Sequence, residues 1–452
     1  MISSRSGNYR SLIKYCWLLA VAFQFIQYLA CRGGLEISDK FYALEILSFV
    51  FLTLRSAKYA RRGYSSILFL FSASFYLFIC GRFIALLVGF EADEGVFDLN
   101  WMASFRADEA ARVSAFLYLS TFVCLLNFSY LSARFDAPRD DCSKSTNVWL
   151  ILFFMVVFGS IQIVNGLGTV ASALKGGYES IYASQAGEYA AGRATLSILF
   201  YVSISLAFTT NVRWIQRGAI ALLLVSSIMT LVAGARGGFV SVLMLMIWLY
   251  GRKREVNVKK ILIAFLTIGI SLEIVMQFSA RASGHSDLNI LDIPAYFIYS
   301  QGVSLGVFSF SQSISELPLA AYMQSLFPGV LFVLSGISGS VNLHEANFQN
   351  YISWIADPIK YQAGFGLGWT LLSDIYVYSF GIFPIFAVFS LMCGLGIRWL
   401  DDNEMRSKLW HAVCIGLLMK IFMLPRSSIS TVISFLVYFF ILYVVVSVLR
   451  RR

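Results

Sequence analysis

Residues 428–452 read SISTVISFLVYFFILYVVVSVLRRR. The first twenty-two positions carry no charge, and three arginines follow at once. A helix rising 1.5 Å per residue needs about twenty apolar residues to cross a bilayer core, and Lys and Arg collect at the cytoplasmic ends of such spans. This stretch therefore reads as a membrane span with its C-terminal end in the cytoplasm. The same pattern recurs upstream, at residues 12–31, 38–54, 65–90, 112–132, 147–166, 194–210, 218–235, 237–251, 261–278, 380–399 and 409–424. Composition agrees: 58% of the 452 residues are hydrophobic and 13% charged, against about 25% charged in an ordinary soluble domain. The expectation is an all-α polytopic membrane protein of about 12 (12–14) transmembrane helices.

Charge orients the spans. The net charge of +10 resides in short clusters between apolar runs, which is the distribution of membrane topology and not of a nucleic-acid surface. Arg5, Arg10 and Lys14 precede the first span, and Arg55, Lys58, Arg61 and Arg62 follow the second. Further clusters lie at Arg134/Arg139/Lys144, Arg213/Arg217, Arg252 to Lys260, Arg398/Arg406/Lys408 and Arg450 to Arg452. All fall on one side when the span count is even, so both termini are expected in the cytoplasm. No small-residue cleavage site follows the first apolar run, which reads as an uncleaved span. The seven cysteines have no paired spacing, and neither a disulfide framework nor a thiolate metal site is expected.

The opposite side carries the polar material. Residues 278–379 separate about nine N-terminal spans (1–277) from three C-terminal ones (380–452), and form a large external loop holding His285, His344, Glu345, Asp357, Lys360 and Asp374. Within it, residues 295–313 and 319–337 are apolar but broken by Gly302, Gly306, Pro328 and Gly329, a pattern of partly inserted short helices. A second external loop, with Glu91, Asp93, Glu94 and Asp98, is acidic. No internal repeat and no phosphate-binding glycine loop followed by Lys-Ser/Thr is present, which argues against an inverted-repeat transporter and against an ATP-driven exporter.

Twelve basic residues remain outside the cytoplasmic clusters, among them Arg82, Arg236, Arg281, Lys420 and Arg426. Arginine within a membrane is costly and normally paired; for Arg82 the expected partner is Glu45 on the neighbouring span. Arg236 lies in Ala-Gly-Ala-Arg-Gly-Gly, residues 233–238, where two spans meet with almost no loop. With Arg281 and Arg426 at other outer helix ends, it forms a candidate anion site, because guanidinium donors match diphosphate oxygens. The alternative for each arginine is snorkelling to lipid headgroups.

The 233–238 turn, the large loop before the final spans, and Gly-Phe-Gly-Leu-Gly-Trp-Thr-Leu-Leu-Ser-Asp-Ile-Tyr-Val-Tyr-Ser-Phe-Gly at 364–381 together resemble the bacterial O-antigen polymerase (Wzy) family. Asp374 stands where Glu is common in that family. The resemblance implies a metal-independent integral-membrane glycosyltransferase of the GT-C type with no cofactor, the large loop being periplasmic. It would act at the periplasmic face of the inner membrane, transferring a growing glycan from undecaprenyl diphosphate to a lipid-linked oligosaccharide repeat unit. A polysaccharide chain-length regulator is the further partner implied; nucleic acid is not.

Such chemistry needs positive charge at the departing diphosphate and a base at the acceptor hydroxyl. Candidate bases are His344, Glu345 and Asp374, with His285 reading better as a solvated turn residue. Asn347, Tyr351, Trp354 and Tyr361 form a polar-aromatic run suited to sugar rings, or equally to an interfacial belt. The rival functions are an O-antigen ligase, sharing the donor, and a polysaccharide flippase or transporter.

Overall fold

The structure, a computed structural model, describes residues 2–449 apart from 91, 93, 135–145, 184–188, 235, 253, 255, 262, 264–266, 268, 270–291, 331–341 and 405, with only the backbone at 2–8, 176–183, 189–193, 236 and 343. The described residues form helices joined by turns and loops, with one isolated bridge between Leu99 and Phe105 as the sole extended pairing among them.

The membrane-facing part contains α1 (Ile2–Arg32), α2 (Asp39–Ala57), α3 (Ile67–Phe78), α4 (Gly81–Leu87), α5 (Glu109–Ser132), α6 (Val148–Ala183), α7 (Tyr189–Ala207), α8 (Arg213–Val232) and α9 (Arg236–Gly251). After a segment of short helices come α16 (Phe383–Asn403), α17 (Lys408–Ile421) and α18 (Ser430–Val448). Several helices begin where a short polar side chain can accept an orphan first-turn amide: Ser66 caps α3, Asp108 caps α5 and Ser407 caps α17. Around the buried α5 pack α1, α2 and α16, while α6, α7, α8, α9, α17 and α18 form a neighbouring group. Small residues allow the closest approaches. Gly394 of α16 lies directly on Leu126 and Ser129 of α5, and Gly416 of α17 lies under the Phe435 ring of α18.

Seven helices among the described residues are long and apolar enough to cross a membrane, or eight if the bent pair α3–α4 counts as one span. The expected count of twelve also includes α2, whose Asp39, Lys40, Glu45 and Arg55 lower its apolar character, the shorter α7 and α9, and residues 261–278, which lie mostly outside the described residues. The span expected over 65–90 is not one helix. It breaks between α3 and α4 with a 71° bend, the geometry of a broken span or of a re-entrant loop.

The described residues between 292 and 378 form a lobe of short helices: α10 (Ile293–Gln301), α11 (Ser304–Gln312), α12 (Leu319–Leu326), α13 (Phe348–Ala356), α14 (Pro358–Gln362) and α15 (Leu371–Tyr378). None of these described helices is long enough to span a bilayer, in keeping with Gly302, Gly306, Pro328 and Gly329; residues 331–337 of the second expected apolar run lie outside the described residues. The lobe has its own core of Leu99, Met102, Val307, Ala321, Phe348, Ile352, Leu367, Trp369 and Val377. Leu99 and Met102 belong to the acidic loop, which therefore forms part of the lobe and not a separate exported connection.

Arg82 explains why. It is buried, and its partner is Glu94 at 3.2 Å, not Glu45. The same guanidinium donates to the carbonyls of Asp98 (2.5 Å), Gly95 and Val96 (3.3 Å each). A buried arginine with five donors can gather a whole loop in this way, and the break at 79–80 is what turns it toward that loop.

Candidate functional site

The polar-aromatic run occupies one edge of the lobe. Asn347 caps α13, accepting from the Asn350 amide at 2.8 Å. The helix then presents two faces. Phe348 and Ile352, four residues apart, turn inward and are buried, with the Phe348 ring stacked 5.5 Å from Trp369. Tyr351 and Trp354, three residues apart, are half-buried on another face, 6.3 Å between ring centroids and 28° between planes. This is the i, i+3 and i, i+4 geometry of a helix anchored on one side.

Immediately before α13, the 3-10 turn Leu343–Ala346 brings back His344 and Glu345. The His344 ring stacks on Trp354, 4.3 Å between centroids and 15° between planes. The Glu345 carboxylate stands 3.7 Å from His344 Nε2 and accepts from Asn342 Nδ2 at 3.0 Å. Thus His344, Glu345, Asn347, Tyr351 and Trp354, candidates on separate grounds in the sequence, adjoin one another. Tyr361 of α14 packs instead against the lobe core, and Lys360 lies 3.5 Å from Asp357.

Asp374 is placed differently. It is buried on α15 and accepts from three groups: the Trp369 indole at 2.7 Å, the Ser428 hydroxyl at 3.3 Å and the Ile429 amide at 2.5 Å. Burial pushes its carboxyl up to about 7 against the pull of those donors. Its position joins the lobe to the start of α18. The segment before it is held by Ser353, whose hydroxyl accepts from the Leu367 amide at 3.0 Å and donates to the Gln349 carbonyl at 2.6 Å. Gly364 and Gly368 turn this segment with φ of +91° and +83°, values that favour glycine.

The arginines divide. Arg281 and His285 lie outside the described residues. Arg236 opens α9 after Gly234, whose φ is +92°. Arg426 is exposed in the 3-10 turn Leu424–Arg426 and donates to Gln301 Oε1 at 3.4 Å. The two turns meet: a Cβ on Gly237 would lie 2.5 Å from Met423 Cε. Gly238, Met423 and Ser427 also line one cavity of about 170 Å³, together with Ser241, Tyr201 and Lys420. In the sequence Lys420 has no role beyond its place among the basic residues outside the cytoplasmic clusters. Its signal was a lone charge inside the apolar run 409–424, and only packing revealed what surrounds it.

A second cleft, about 370 Å³, opens beside Arg82, Glu94, Asp39, Lys40 and Tyr299. Among the described residues, no three His, Cys, Asp or Glu side chains come together as metal ligands.

Apolar spans gathered into a bundle, with a lobe of short helices at one end of it, define a multi-pass membrane protein. The chain belongs to the O-antigen polysaccharide polymerase Wzy family, whose model matches residues 13–451, nearly the whole length. It is accordingly a polymerising glycosyltransferase of polysaccharide biosynthesis that works on lipid-linked oligosaccharides. Searches of the curated proteins and of the solved structures return no significant match.

Proposed function

We propose that this polymerase transfers a growing glycan from undecaprenyl diphosphate to the terminal sugar of a second lipid-linked repeat unit, at the periplasmic face, without a metal ion. The observation that carries this reading is the His344–Glu345 pair braced on Trp354. The stack fixes the imidazole plane, and the neighbouring carboxylate stabilises the imidazolium once a proton arrives. Tyr351 continues the aromatic surface beside it, on which a pyranose ring can lie.

In the step itself, the acceptor hydroxyl gives its proton to His344, its oxygen bonds to the anomeric carbon, and the bond from that carbon to diphosphate breaks. The departing diphosphate takes the electron pair, and Arg236, Arg281 and Arg426 balance its charge. Asp374, enclosed by its three donors, acts as a positioning residue that holds the lobe over α18. Both termini lie in the cytoplasm under this reading, and the basic clusters between spans support that orientation.

The test is the lipopolysaccharide of a strain lacking the protein. A single repeat unit on the core is expected, with long chains restored by the wild-type gene. Bare core would instead assign the protein to ligation or flipping.

A further inference from the structure

The cavity between α7, α9, α17 and α18 holds an ionisable group that the proposed chemistry has not used. Lys420 sits in the last turn of α17, half-buried, within an otherwise apolar candidate span. Among the described residues no carboxylate lies within ion-pair distance of it, and its ammonium rests 4.1 Å from the Tyr201 ring centroid. A cation at membrane depth without a carboxylate is expensive and is kept where it meets a charged ligand. Ser241 lines the same cavity, is 3% exposed, and its hydroxyl has no hydrogen-bond partner in the structure. Ser427 and Thr431 add two further hydroxyl-bearing side chains to the wall. Gly238 brings the first turn of α9, whose leading amides the helix itself cannot satisfy, to the same space.

An ammonium, an unsatisfied hydroxyl and a helix N-terminus converge on an anion, and the apolar remainder of the wall suits one attached to a hydrocarbon chain. We propose that this cavity seats a phosphate group of the isoprenoid diphosphate end of the lipid-linked substrate, with Lys420 as its counter-charge and Ser241 as a hydrogen-bond donor. The seat lies one to two helical turns inside the bundle from the Arg236 and Arg426 turns. The arginines then hold the diphosphate from the outer side and Lys420 from the inner side. This deepens the polymerase reading above and rests on it.

The experiment measures binding of undecaprenyl diphosphate to the full-length protein in zwitterionic lipid nanodiscs, for the wild type and for Lys420→Met, Lys420→Arg and Ser241→Ala. One charge-assisted contact is worth roughly 1.5–3 kcal/mol, so Lys420→Met should bind at least about ten-fold more weakly. Lys420→Arg should retain most of the affinity, and Ser241→Ala should fall between. Thermal stability of Lys420→Met without ligand should equal or exceed that of the wild type, since the substitution removes a lone charge from an apolar span; a purely structural lysine would give the opposite. Inorganic diphosphate should compete with the lipid in the wild type, and phosphatidylglycerol should not. Wild-type affinity in Lys420→Met overturns the seat and leaves the polymerase reading intact. Equal competition by phosphatidylglycerol also overturns it, since the cavity would then take bulk headgroups. Failure of the wild type to bind the diphosphate lipid at all removes the donor reading, and the seat with it.

Discussion

At the residue scale, the ionisable groups of the lobe separate by exposure. His344 and Glu345 keep contact with solvent at 22% and 37% side-chain exposure, whereas Asp374 is buried. We therefore expect His344→Ala or Glu345→Ala to shorten polymer far more than His285→Ala at equal protein level; near-normal chain length in all three would remove the base from this turn. For Asp374 the expected signature is in stability. Its carboxyl, ordinarily 3.8, titrates near 7 in the fold. Between those values the native state keeps a proton that the unfolded chain has released, so stability falls as pH rises, by up to ~1.4 kcal/mol per pH unit. Asp374→Asn should lower the melting temperature, because its NH2 group meets donors, and should flatten the decline between about pH 4 and 7. An unchanged slope in thermal unfolding of the variant would mean that the titration belongs to another group.

At the scale of elements, the lobe is seated on the bundle by two glycines. A Cβ on Gly81 of α4 would lie 2.5 Å from the Ile298 carbonyl of α10, and a Cβ on Gly302 would meet the Arg82 amide. Because the obstacle is backbone on both sides, neither helix can yield without moving the other. Gly302→Ala should cost on the order of 1–3 kcal/mol by overpacking, and should expose the lobe to limited proteolysis while leaving membrane insertion intact. A variant as protease-resistant as the wild type would show that the seat tolerates a methyl group. The sequence showed Gly302 only as a break in an apolar run; the reciprocal contact with Gly81 joins positions more than two hundred residues apart, which no local pattern reveals.

At the scale of the molecule, the ends of the bundle differ. One carries the lobe; the other is tied by charge. There Arg62 pairs with Glu404, Arg398 donates to Asp402 at 2.7 Å, Asp401 accepts from the Tyr130 hydroxyl at 2.8 Å, and Arg252 donates to His411 at 2.6 Å. Basic residues that the sequence attributes to topology alone thus also join distant segments: Arg62 reaches Glu404 and Arg252 reaches His411, while Arg398 pairs within its own helix and lies over the Tyr130 ring of α5. The topology makes a direct prediction: cysteines placed at Ser283 or Asn350 should react with an impermeant thiol reagent from outside the cell, and one at Asn257 should not. The reverse pattern would invert the whole assignment.

The sequence by itself determined that this is a multi-pass helical membrane protein, that its polar groups concentrate between residues 278 and 381, and that it resembles the family to which it belongs. Hydrocarbon thickness and the cost of an unsatisfied backbone in lipid act on every span independently, so a window of about twenty residues suffices to read them. It also named the neighbours His344, Glu345, Tyr351 and Trp354, since a turn and a helix bring residues within one short segment together. Tertiary structure alone decided which partners the charged residues take. Arg82 went to Glu94 once its helix broke, Asp374 became a joint to Ile429, and Lys420 came to face Ser241 and Tyr201 across a cavity. Each outcome depends on which helices pack together, and a buried charge takes the partner that packing brings near.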